Sequence, residues 1–320
     1  LLQSPCFMFS GPENLINAIS DECDVGEPEL IRALAEQGLP VVTSAHAVAT
    51  MFGYNPGFVW SLINRPARYY RRFTIPKGSS SREIIAPKVA LKIIQKWIGY
   101  NLSKNVKIHP NVYGFVLGRS HLLAAQCHLG ADWILSIDIR DFFPSITRES
   151  VESTLGKLGY ASQESRQTVS ALTCLNSRLV QGSPASPVLS NLVFADIDEE
   201  LEGLARSEGA TYTRYADDLV FSGNGGLPEN LKENACELVE SFGYEVAYEK
   251  VDVSVRPHRL KVHGLLVHGE EVRPTKGYRN RIRAYKHVLE NKQVSAAEYR
   301  RLKGHINFYE SVMALSAWEG

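Results

Sequence analysis

The chain has 320 residues, of which 44% are hydrophobic and 22% are charged. This composition is ordinary for a globular protein and excludes a disordered or collagen-like chain, and the length predicts two or three lobes. No segment approaches the roughly 18–20 consecutive apolar residues of a membrane span, and the five cysteines form no C-x-x-C pair. Scattered thiols are typical of a reducing compartment, so we expect a cytoplasmic protein with no membrane partner.

Charge is distributed unevenly, although the 35 basic and 35 acidic residues cancel. Residues 1–40 contain seven acidic residues and one basic residue, whereas residues 65–107 contain eleven basic residues and one acidic residue. Residues 272–305 contain ten basic residues and two acidic residues. Local positive fields of this kind attract polyanions even at zero net charge. The alternative is that each basic stretch is a solvated helix face.

The first half of the chain predicts short helices, then a hairpin and a longer helix. The short helices are predicted over residues 29–37, 44–52 and 56–64. A hairpin is predicted over residues 69–85, with a flexible, basic tip at 77–81. The longer helix is predicted over residues 87–102, with one face formed by Val89, Ile93, Trp97 and Tyr100.

The second half of the chain alternates between strands and helices. Strands are predicted over residues 133–139, 212–215, 219–221, 245–248 and 260–267. Helices are predicted over residues 149–158, 162–175, 186 to beyond 200, 230–242 and from 275 onward. The central order of strand, helix, hairpin, helix and strand predicts an α+β layer, with helices on one face of an antiparallel sheet.

Three carboxylates lie at the ends of predicted strands. Asp138 ends a hydrophobic strand, and Asp217 and Asp218 form a predicted two-residue turn within a hairpin. Carboxylates beside apolar strand residues are costly unless they are solvated or bound to cations. If the hairpin pairs with the strand that ends at Asp138, the carboxylates meet where hard divalent cations find oxygen ligands. Two such ions, about 4 Å apart, can activate an attacking hydroxyl and neutralise a leaving pyrophosphate. The alternative is an ordinary turn, since Asp is a common turn residue.

Residues 215–218, Tyr-Ala-Asp-Asp, resemble the Y-x-D-D catalytic hairpin of reverse transcriptases. Further blocks resembling that family follow its order, at residues 137–145, 181–187, 244–250 and 262–265. The resemblance runs from about residue 65 to the C-terminus, and it is strongest to the bacterial retron-type branch.

Two motifs depart from that branch. Residues 124–128, Ala-Ala-Gln-Cys-His, keep the Ala and His of its Asn-Ala-x-x-His motif but lack the Asn. Residues 262–264, Val-His-Gly, stand where that branch has Val-Thr-Gly. In the family both motifs are associated with recognition of the cognate RNA.

The resemblance implies a right-hand polymerase of the α+β class, with a ferredoxin-like antiparallel palm sheet, α-rich fingers and a helical thumb. On this basis we predict a helical N-terminal extension at residues 1–64. The fingers and palm, which form the reverse transcriptase domain, are predicted at residues 65–265, and a basic helical thumb at residues 266–320.

The resemblance also implies a catalytic site with two Mg²⁺ ions. Asp138 and Asp217 would be ligands shared by both ions, and the backbone carbonyl of Ile139 would add one oxygen. Asp218 would be a nearby charge and a partial ligand. The predicted catalytic residues are therefore Asp138, Asp217 and Asp218.

For the sugar and base of the incoming nucleotide, the resemblance implies three residues. Phe143 would lie under the sugar, where its ring would clash with a ribose 2′-hydroxyl. Gln181 would order the nucleotide, with Gly182 permitting a close backbone approach. The alternatives are a core Phe at 143 and a plain Gly-Ser-Pro turn after Gln181.

For the triphosphate, the resemblance implies Lys77 and Arg82, which offer a mobile point charge and a fixed fork. Lys250 would protonate or neutralise the leaving pyrophosphate. The alternatives are a solvated hairpin for the first two residues and an ordinary surface position for Lys250.

The basic C-terminal region predicts a helix face that binds RNA. Three- and four-residue steps place five side chains on that face: Lys276, Arg279, Arg283, Lys286 and His287. In a polymerase thumb such a face can contact phosphates and the 2′-hydroxyls of a wide RNA minor groove. The alternative is a solvent-facing helix without a ligand.

The resemblance implies an RNA-directed DNA polymerase that copies a structured non-coding RNA into DNA, the msDNA synthesis of retrons. Synthesis would start from a 2′-hydroxyl of that RNA. The expected partners are the cognate RNA template and primer, the RNA–DNA product, dNTPs, and an effector (toxin) protein in defence against phage. The alternatives are a group II intron-like or CRISPR-associated reverse transcriptase, a catalytically silent RNA-binding scaffold, and a nucleotide cyclase on a related palm.

Overall fold

A computed structural model of the chain describes residues 9–77, 80–291 and 293–316. Residues 1–8 of the predicted extension, 78–79 of the predicted hairpin tip, and 292 and 317–320 of the predicted thumb lie outside these ranges. The α-helices, in chain order, are α1 (Pro12–Ile19), α2 (Glu27–Glu36), α3 (Ala45–Phe52), α4 (Pro56–Asn64), α5 (Val89–Asn105), α6 (His121–Gln126), α7 (Phe142–Ser145), α8 (Arg148–Leu158), α9 (Gln163–Thr173), α10 (Ser186–Val193), α11 (Ala195–Ser207), α12 (Leu231–Ser241), α13 (Lys276–Asn291) and α14 (Ala296–Ser316).

The β-strands, in chain order, are β1 (Tyr70–Lys77), β2 (Ser80–Pro87), β3 (Trp133–Asp138), β4 (Cys174–Leu175), β5 (Arg178–Leu179), β6 (Thr211–Tyr215), β7 (Asp218–Gly223), β8 (Asp252–Val255), β9 (Lys261–Val262), β10 (Leu265–Leu266) and β11 (Arg273–Pro274). Short 3₁₀ helices cover Ser20–Glu22, Pro66–Tyr69 and Tyr248–Lys250.

The predicted α+β class and antiparallel sheet are confirmed. A four-stranded sheet has the order β6-β7-β3-β8, and each neighbouring pair is antiparallel. Along the chain these strands come in the order β3, β6, β7 and β8, with α11 before the hairpin and α12 after it. This is the βαββαβ arrangement of a ferredoxin-like sheet.

Contacts divide the chain into two compact units that alternate along the sequence. The first unit contains Leu1–His109, Phe115–Leu117 and Asp141–Asp196. The second unit contains Pro110–Gly114, Gly118–Arg140 and Ile197–Gly320. The predicted domain boundaries after residues 64 and 265 stay predictions.

In the first unit, the N-terminal helices bury their apolar faces and have defined starts. Leu15 of α1, Ile31 of α2 and Leu62 of α4 are fully buried. Proline in the first turn of these three helices suits a position that needs no amide donor. The side chains of Ser44 and Asn55 cap α3 and α4 by accepting hydrogen bonds from backbone amides.

The predicted helix after the first hairpin is present as α5, but of the four residues predicted to share one face only Trp97 is buried. The buried apolar residues of α5 are Leu91, Ile94, Trp97, Ile98 and Leu102. Val89, Ile93 and Tyr100 are instead exposed. Two overlapping apolar stripes share the helical period on α5, and periodicity alone does not tell which of them meets the neighbouring elements.

In the second unit, an apolar core lies behind the four-stranded sheet. Ile134 of β3 and Val220 of β7 are buried in one cluster with Val262 of β9, Leu265 of β10 and Val312 of α14. The sheet that carries Asp138 and Asp218 is therefore packed against the C-terminal strands and helix of the same unit.

Three further predicted elements differ from the structure. Residues 245–248 form no strand, since Val246 makes only an isolated bridge, and the strand follows later as β8. The strand predicted over 260–267 is split into β9 and β10, because His263 and Gly264 have φ of 49° and 82° and turn the chain. The long helix predicted from residue 186 is divided at Phe194 into α10 and α11.

Among the helices that the structure describes, none is both long enough and apolar enough to cross a membrane. The cytoplasmic location stays a prediction.

Candidate active site

The acidic hairpin connects β6 and β7, whose register pairs Tyr215 with Asp218. The turn therefore consists of Ala216 and Asp217, and the turn predicted at Asp217 and Asp218 is wrong by one residue. Ala216 has a φ of 58°, a left-handed backbone that few residues other than glycine adopt. Its carbonyl accepts a hydrogen bond from Nη1 of Arg214 at 3.1 Å, which supports this conformation. Asp218 is the first residue of β7.

The predicted metal-site residues are neighbours in the second unit, at the end of the sheet where β3 ends and β7 begins. The antiparallel pairing of β3 with β7 places Asp138 directly opposite Asp218. The amide of Ile139 donates a hydrogen bond to the carbonyl of Asp217 at 3.1 Å. The side chains of Asp138 and Asp218 are 15% and 49% exposed. This end of the sheet therefore offers several carboxylate oxygens, the ligands that hard divalent cations prefer.

Asp138, Asp217 and Asp218 form a cluster, here called the acidic edge, in which the negative charge of Asp217 is unfavourable. Burial raises the pKa of Asp217, and the carboxylates of Asp218 and Asp138 raise that pKa further, against the opposing effects of Lys250 and a backbone hydrogen bond. Like charges held close together favour protonation of one of them. A bound cation would reverse this effect, because it becomes the largest local charge.

Lys250 lies beside these carboxylates. Its ammonium donates a hydrogen bond to Oδ1 of Asp138, and this contact raises the pKa of Lys250. The preceding segment is fixed by Arg140, which lies 2.6 Å from Glu245 and 2.7 Å from Glu249. The structure therefore brings Lys250 together with the predicted metal ligands, as a partner of Asp138.

Phe143 lies in the first unit, on the short helix α7, and is half-buried. Its ring centroid is 5.4 Å from that of Phe142 and 5.9 Å from that of Phe115. Phe142 is buried and packs against Phe194 at 5.1 Å. Of the two adjacent phenylalanines, Phe142 therefore fills the core, and Phe143 lies at its margin.

Gln181 and Gly182 also lie in the first unit, next to the hairpin strand β2. The carbonyl of Gln181 accepts a hydrogen bond from the amide of Ile85 at 3.2 Å. Gly182 has a φ of 117°, and a Cβ atom there would lie 2.6 Å from the carbonyl oxygen of Ile85. The close approach that Gly182 permits in the structure is therefore to the backbone of β2.

Lys77 and Arg82 belong to the hairpin of the first unit. The register of β1 and β2 pairs Lys77 with Ser80 and Arg82 with Ile75. Their side chains lie outside the part of the chain that the structure describes.

The predicted RNA-binding side chains are exposed on α13 of the second unit: Lys276, Arg279, Arg283, Lys286 and His287. The helix buries Ile282, and the ring of Tyr285 lies 5.5 Å from that of His305 on α14. The ammonium of Lys286 is 3.1 Å from the carboxylate of Glu310. Lys286 therefore lies beside α14, and the other four basic side chains lie on the exposed part of α13.

Residues 75–267 match the protein family described as reverse transcriptase (RNA-dependent DNA polymerase). The chain belongs to the reverse transcriptase family. The matched segment includes the acidic hairpin, the strand that ends at Asp138 and the Gln181 block. Membership of this family implies the use of divalent metal ions.

The similar reverse transcriptases include several retron enzymes. The retron Mx65 reverse transcriptase of Myxococcus xanthus is 37% identical over 257 residues, 73% of this chain and 60% of that protein. The retron Mx162 enzyme of the same organism is 32% identical over 312 residues, 86% of this chain and 64% of that protein. The retron Ec86 enzyme of Escherichia coli is 31% identical over 284 residues, 87% of this chain and 88% of that protein. The predicted retron branch is confirmed, and the chain spans less than two thirds of the two Myxococcus relatives.

Solved structures with some similarity to the chain include a telomerase and a viral protease-reverse transcriptase. The telomerase of Candida albicans, in complex with a fragment of telomeric RNA, has a TM-score of 0.47 and 12% identity over 73% of this chain and 55% of that chain. A foamy viral protease-reverse transcriptase with double-stranded DNA has a TM-score of 0.41 and 16% identity over 75% of this chain and 35% of that chain.

Sequence reasoning missed a buried ion pair behind the reverse transcriptase hairpin. Arg214 of β6 and Asp198 of α11 are both fully buried, and two hydrogen bonds of 2.7 Å join them. Tyr212 donates its hydroxyl to Asp198 at 2.8 Å. The available signal was a charged residue inside an apolar strand, which must be paired when buried. No sequence spacing identifies Asp198 as its partner.

The histidine of the family's RNA-associated motif is also buried behind the hairpin. His128 is 1% exposed, and its ring nitrogens lie 2.6 Å from Oγ of Ser222 and 2.7 Å from Oγ1 of Thr213. Burial lowers the pKa of His128 to about 3. The neutral ring therefore bridges β6 and β7 and is not a surface contact for RNA.

At the second departure from the retron branch, His263 contacts the acidic hairpin. Its side chain is 8% exposed, and Nδ1 lies 3.6 Å from Oδ2 of Asp218. The ring centroid is 5.3 Å from that of Tyr215. The residue that replaces the family's Thr therefore packs beside the first residue of β7.

Proposed function

We propose that the chain is an RNA-directed DNA polymerase that copies a structured non-coding RNA into DNA, the msDNA synthesis of retrons. The observation that carries this proposal is the pairing of Asp138 with Asp218, beside Asp217, at one end of the sheet. The retron relatives support the same reaction. A silent scaffold has no use for three neighbouring carboxylates, since their mutual repulsion costs free energy.

The acidic edge is assigned to two Mg²⁺ ions. Asp138 and Asp217 would be the shared ligands, the carbonyl of Ile139 would add an oxygen, and Asp218 would be a partial ligand. The raised pKa of Asp217 supports this fit, because a carboxylate disfavoured by burial and like charge gains most from a cation. When bound, two divalent ions activate the primer hydroxyl and neutralise charge on the pyrophosphate.

Lys250 is proposed to act on the leaving group. Its hydrogen bond to Asp138 raises its pKa, so the side chain is protonated at neutral pH. A protonated ammonium beside the metal ligands can neutralise the pyrophosphate or donate a proton to it.

The first unit is proposed to hold the incoming nucleotide. The half-buried ring of Phe143 would lie under the sugar and exclude a ribose 2′-hydroxyl. Gln181 and Gly182 would order the nucleotide from the segment that pairs with β2. Lys77 and Arg82 would contact the triphosphate, in keeping with their place in the basic stretch of the hairpin.

The second unit is proposed to hold the RNA on the exposed basic face of α13, formed by Lys276, Arg279, Arg283, Lys286 and His287. Phosphate contacts would position the template and primer there without reading their sequence. Synthesis would start from a 2′-hydroxyl of the cognate RNA, and the RNA–DNA product would work with an effector protein in phage defence in the cytoplasm.

Asp217→Asn tests the polymerase assignment in a primer-extension assay with an RNA template, a DNA primer, dNTPs and Mg²⁺. Loss of a metal ligand should remove several kcal/mol of transition-state stabilisation, so extension should fall by about a thousandfold or more. Fluorescence anisotropy with the same RNA should show nearly unchanged binding. Asp252→Asn is the matched control, because Asp252 is an exposed carboxylate on β8 of the same sheet.

Residual extension within about tenfold of wild type would contradict the two-ion assignment. A wild-type protein that binds the RNA but extends no primer would support the silent scaffold instead. Sequencing the nucleic acid that co-purifies with the protein would identify the RNA that is copied.

A further inference from the structure

Phe115 holds an aromatic ring in a backbone conformation that disfavours it. Its φ is 62°, in the left-handed region, and the residue is 44% exposed. Glycine adopts this conformation without steric cost, whereas a bulky residue there is an outlier. At this exposure, the ring of Phe115 does not fill the core. A strained backbone that carries an exposed aromatic ring indicates that the side chain itself has a use.

The ring of Phe115 is in contact with the ring of Phe143. The two centroids are 5.9 Å apart with the planes inclined at 42°, within the range of favourable aromatic pairs. Both residues belong to the first unit. The ring of Phe143 therefore has Phe142 as one aromatic neighbour and Phe115 as another.

The backbone of Phe143 is fixed independently of its ring. The amide of Ser145 donates to the carbonyl of Asp141 at 2.8 Å, closing the short helix α7. Arg178 donates to the carbonyl of Pro144 at 2.7 Å. The backbone atoms are thus held in place, and the direction of the ring is set by the side chains that pack against it.

We infer that Phe115 is a positioning residue that holds the ring of Phe143 and thereby sets the discrimination between deoxyribonucleotides and ribonucleotides. This inference rests on the proposed role of Phe143 as the ring beneath the sugar. Phe142 is anchored in the core on one side of that ring, and Phe115 limits its rotation on another. Without Phe115 the ring can turn away, which opens space for a 2′-hydroxyl.

Phe115→Gly is the variant that isolates the ring, because glycine keeps the left-handed backbone. The measurement is single-nucleotide extension of a DNA primer on an RNA template, with one matched dNTP and the corresponding rNTP. The ratio of kcat/KM for dNTP over rNTP should fall by about threefold to tenfold, the size expected for loss of one aromatic pair contact. The change should come from a lower KM for the rNTP, with kcat for the dNTP retained.

Four further variants test whether the effect is specific to the contact between the two rings. Phe115→Tyr keeps an aromatic ring and should preserve the ratio. Leu117→Ala removes a nearby apolar side chain that is 89% exposed, and it should leave the ratio unchanged. Phe143→Ala should lower the ratio more than Phe115→Gly does, and the double variant should lower it no further than Phe143→Ala alone.

The outcomes separate the two assignments. A wild-type ratio in Phe115→Gly beside a lowered ratio in Phe143→Ala would refute the positioning role and leave Phe143 as the gate. A wild-type ratio in Phe143→Ala would refute the gate, and the positioning role with it. Thermal unfolding of each variant shows that the ratio is measured on folded protein.

Discussion

Asp198→Asn removes the negative charge of the buried ion pair behind the acidic hairpin while keeping the shape of the side chain. Asp198 and Arg214 are both 0% exposed, so the guanidinium would stay buried opposite a neutral amide. Removing one partner of a buried pair costs about 3–5 kcal/mol of unfolding free energy. The Asp198 carboxylate accepts hydrogen bonds from Nε and Nη2 of Arg214 and from Tyr212. Because an amide nitrogen accepts none, repacking cannot restore all of them, and we expect a cost within that range.

The same substitution should also lower polymerase activity per folded molecule. Arg214 donates through Nη1 to the carbonyl of Ala216 in the turn that carries Asp217. A double variant, Asp198→Leu with Arg214→Met, replaces the pair by apolar side chains, and such replacements are often neutral for stability. It should therefore recover part of the stability but not the activity, because the carbonyl of Ala216 then loses its donor and the hydroxyl of Tyr212 loses its acceptor.

Urea unfolding followed by circular dichroism measures the cost, with the midpoint and the slope fitted together. Asp196→Asn is the matched control, because Asp196 lies two residues earlier on α11 and pairs with Lys157 at the surface, at 66% and 65% exposure. Exposed pairs contribute about 0–1 kcal/mol. If Asp198→Asn costs no more than this control, the pair does not stabilise the hairpin as argued.

Three other substitutions probe separate parts of the chain. The folded pKa of His128 is about 3, below the ordinary value of 6.5, so its stabilising contribution is complete above pH 6.5 and is lost as the pH falls. In His128→Gln, the unfolding free energy should therefore decline less steeply between about pH 6.5 and pH 5 than in the wild type. An unchanged slope would argue against a buried neutral ring. Gly182→Ala should lower the melting temperature, because the new Cβ atom would lie 2.6 Å from the backbone oxygen of Ile85. Gly277→Ala on α13 should not lower it, because nothing lies within 4 Å of a Cβ atom there. Equal melting temperatures for the two variants would contradict the close approach at Gly182. Charge reversal at Arg279 and Arg283 should weaken RNA binding, measured by fluorescence anisotropy. The slope of log affinity against log salt concentration should become shallower by about one unit per lost phosphate contact. A wild-type affinity and slope would exclude α13 from RNA binding.

The acidic edge could be predicted because the sequence patterns that identify it lie within short segments of the chain. The strand before Asp138 and the strands around Asp217 are short apolar runs bounded by polar residues, a pattern that is typical of strands. The pairing of β3 with β7 then follows from burying both runs in one sheet. The resemblance to reverse transcriptases rested on several sequence blocks that occur in the order of that family. The match of residues 75–267 to the family supports this resemblance.

The features that could not be predicted depend on tertiary contacts. The turn position differs by one residue because Ala216 takes a left-handed backbone that Arg214 supports, and a sequence favours Asp for a turn before it favours Ala. The burial of His128 depends on two hydroxyls, of Ser222 and Thr213, that are remote in sequence. Long-range partners of this kind leave no periodicity to detect.

The two sides of the acidic hairpin differ in their electrostatic interactions, which are unfavourable at the proposed metal site and favourable behind the hairpin. On the side of the proposed metal site, Asp217 is disfavoured by burial and by neighbouring carboxylates. Behind the hairpin, Asp198 and Arg214 form a matched pair, and His128 is neutral with both ring nitrogens engaged. Substitutions behind the hairpin should therefore lower stability and activity together, because they remove the framework. Asp217→Asn should abolish activity while leaving stability at neutral pH equal or higher, since it relieves burial and repulsion that Lys250 and a backbone hydrogen bond offset only in part.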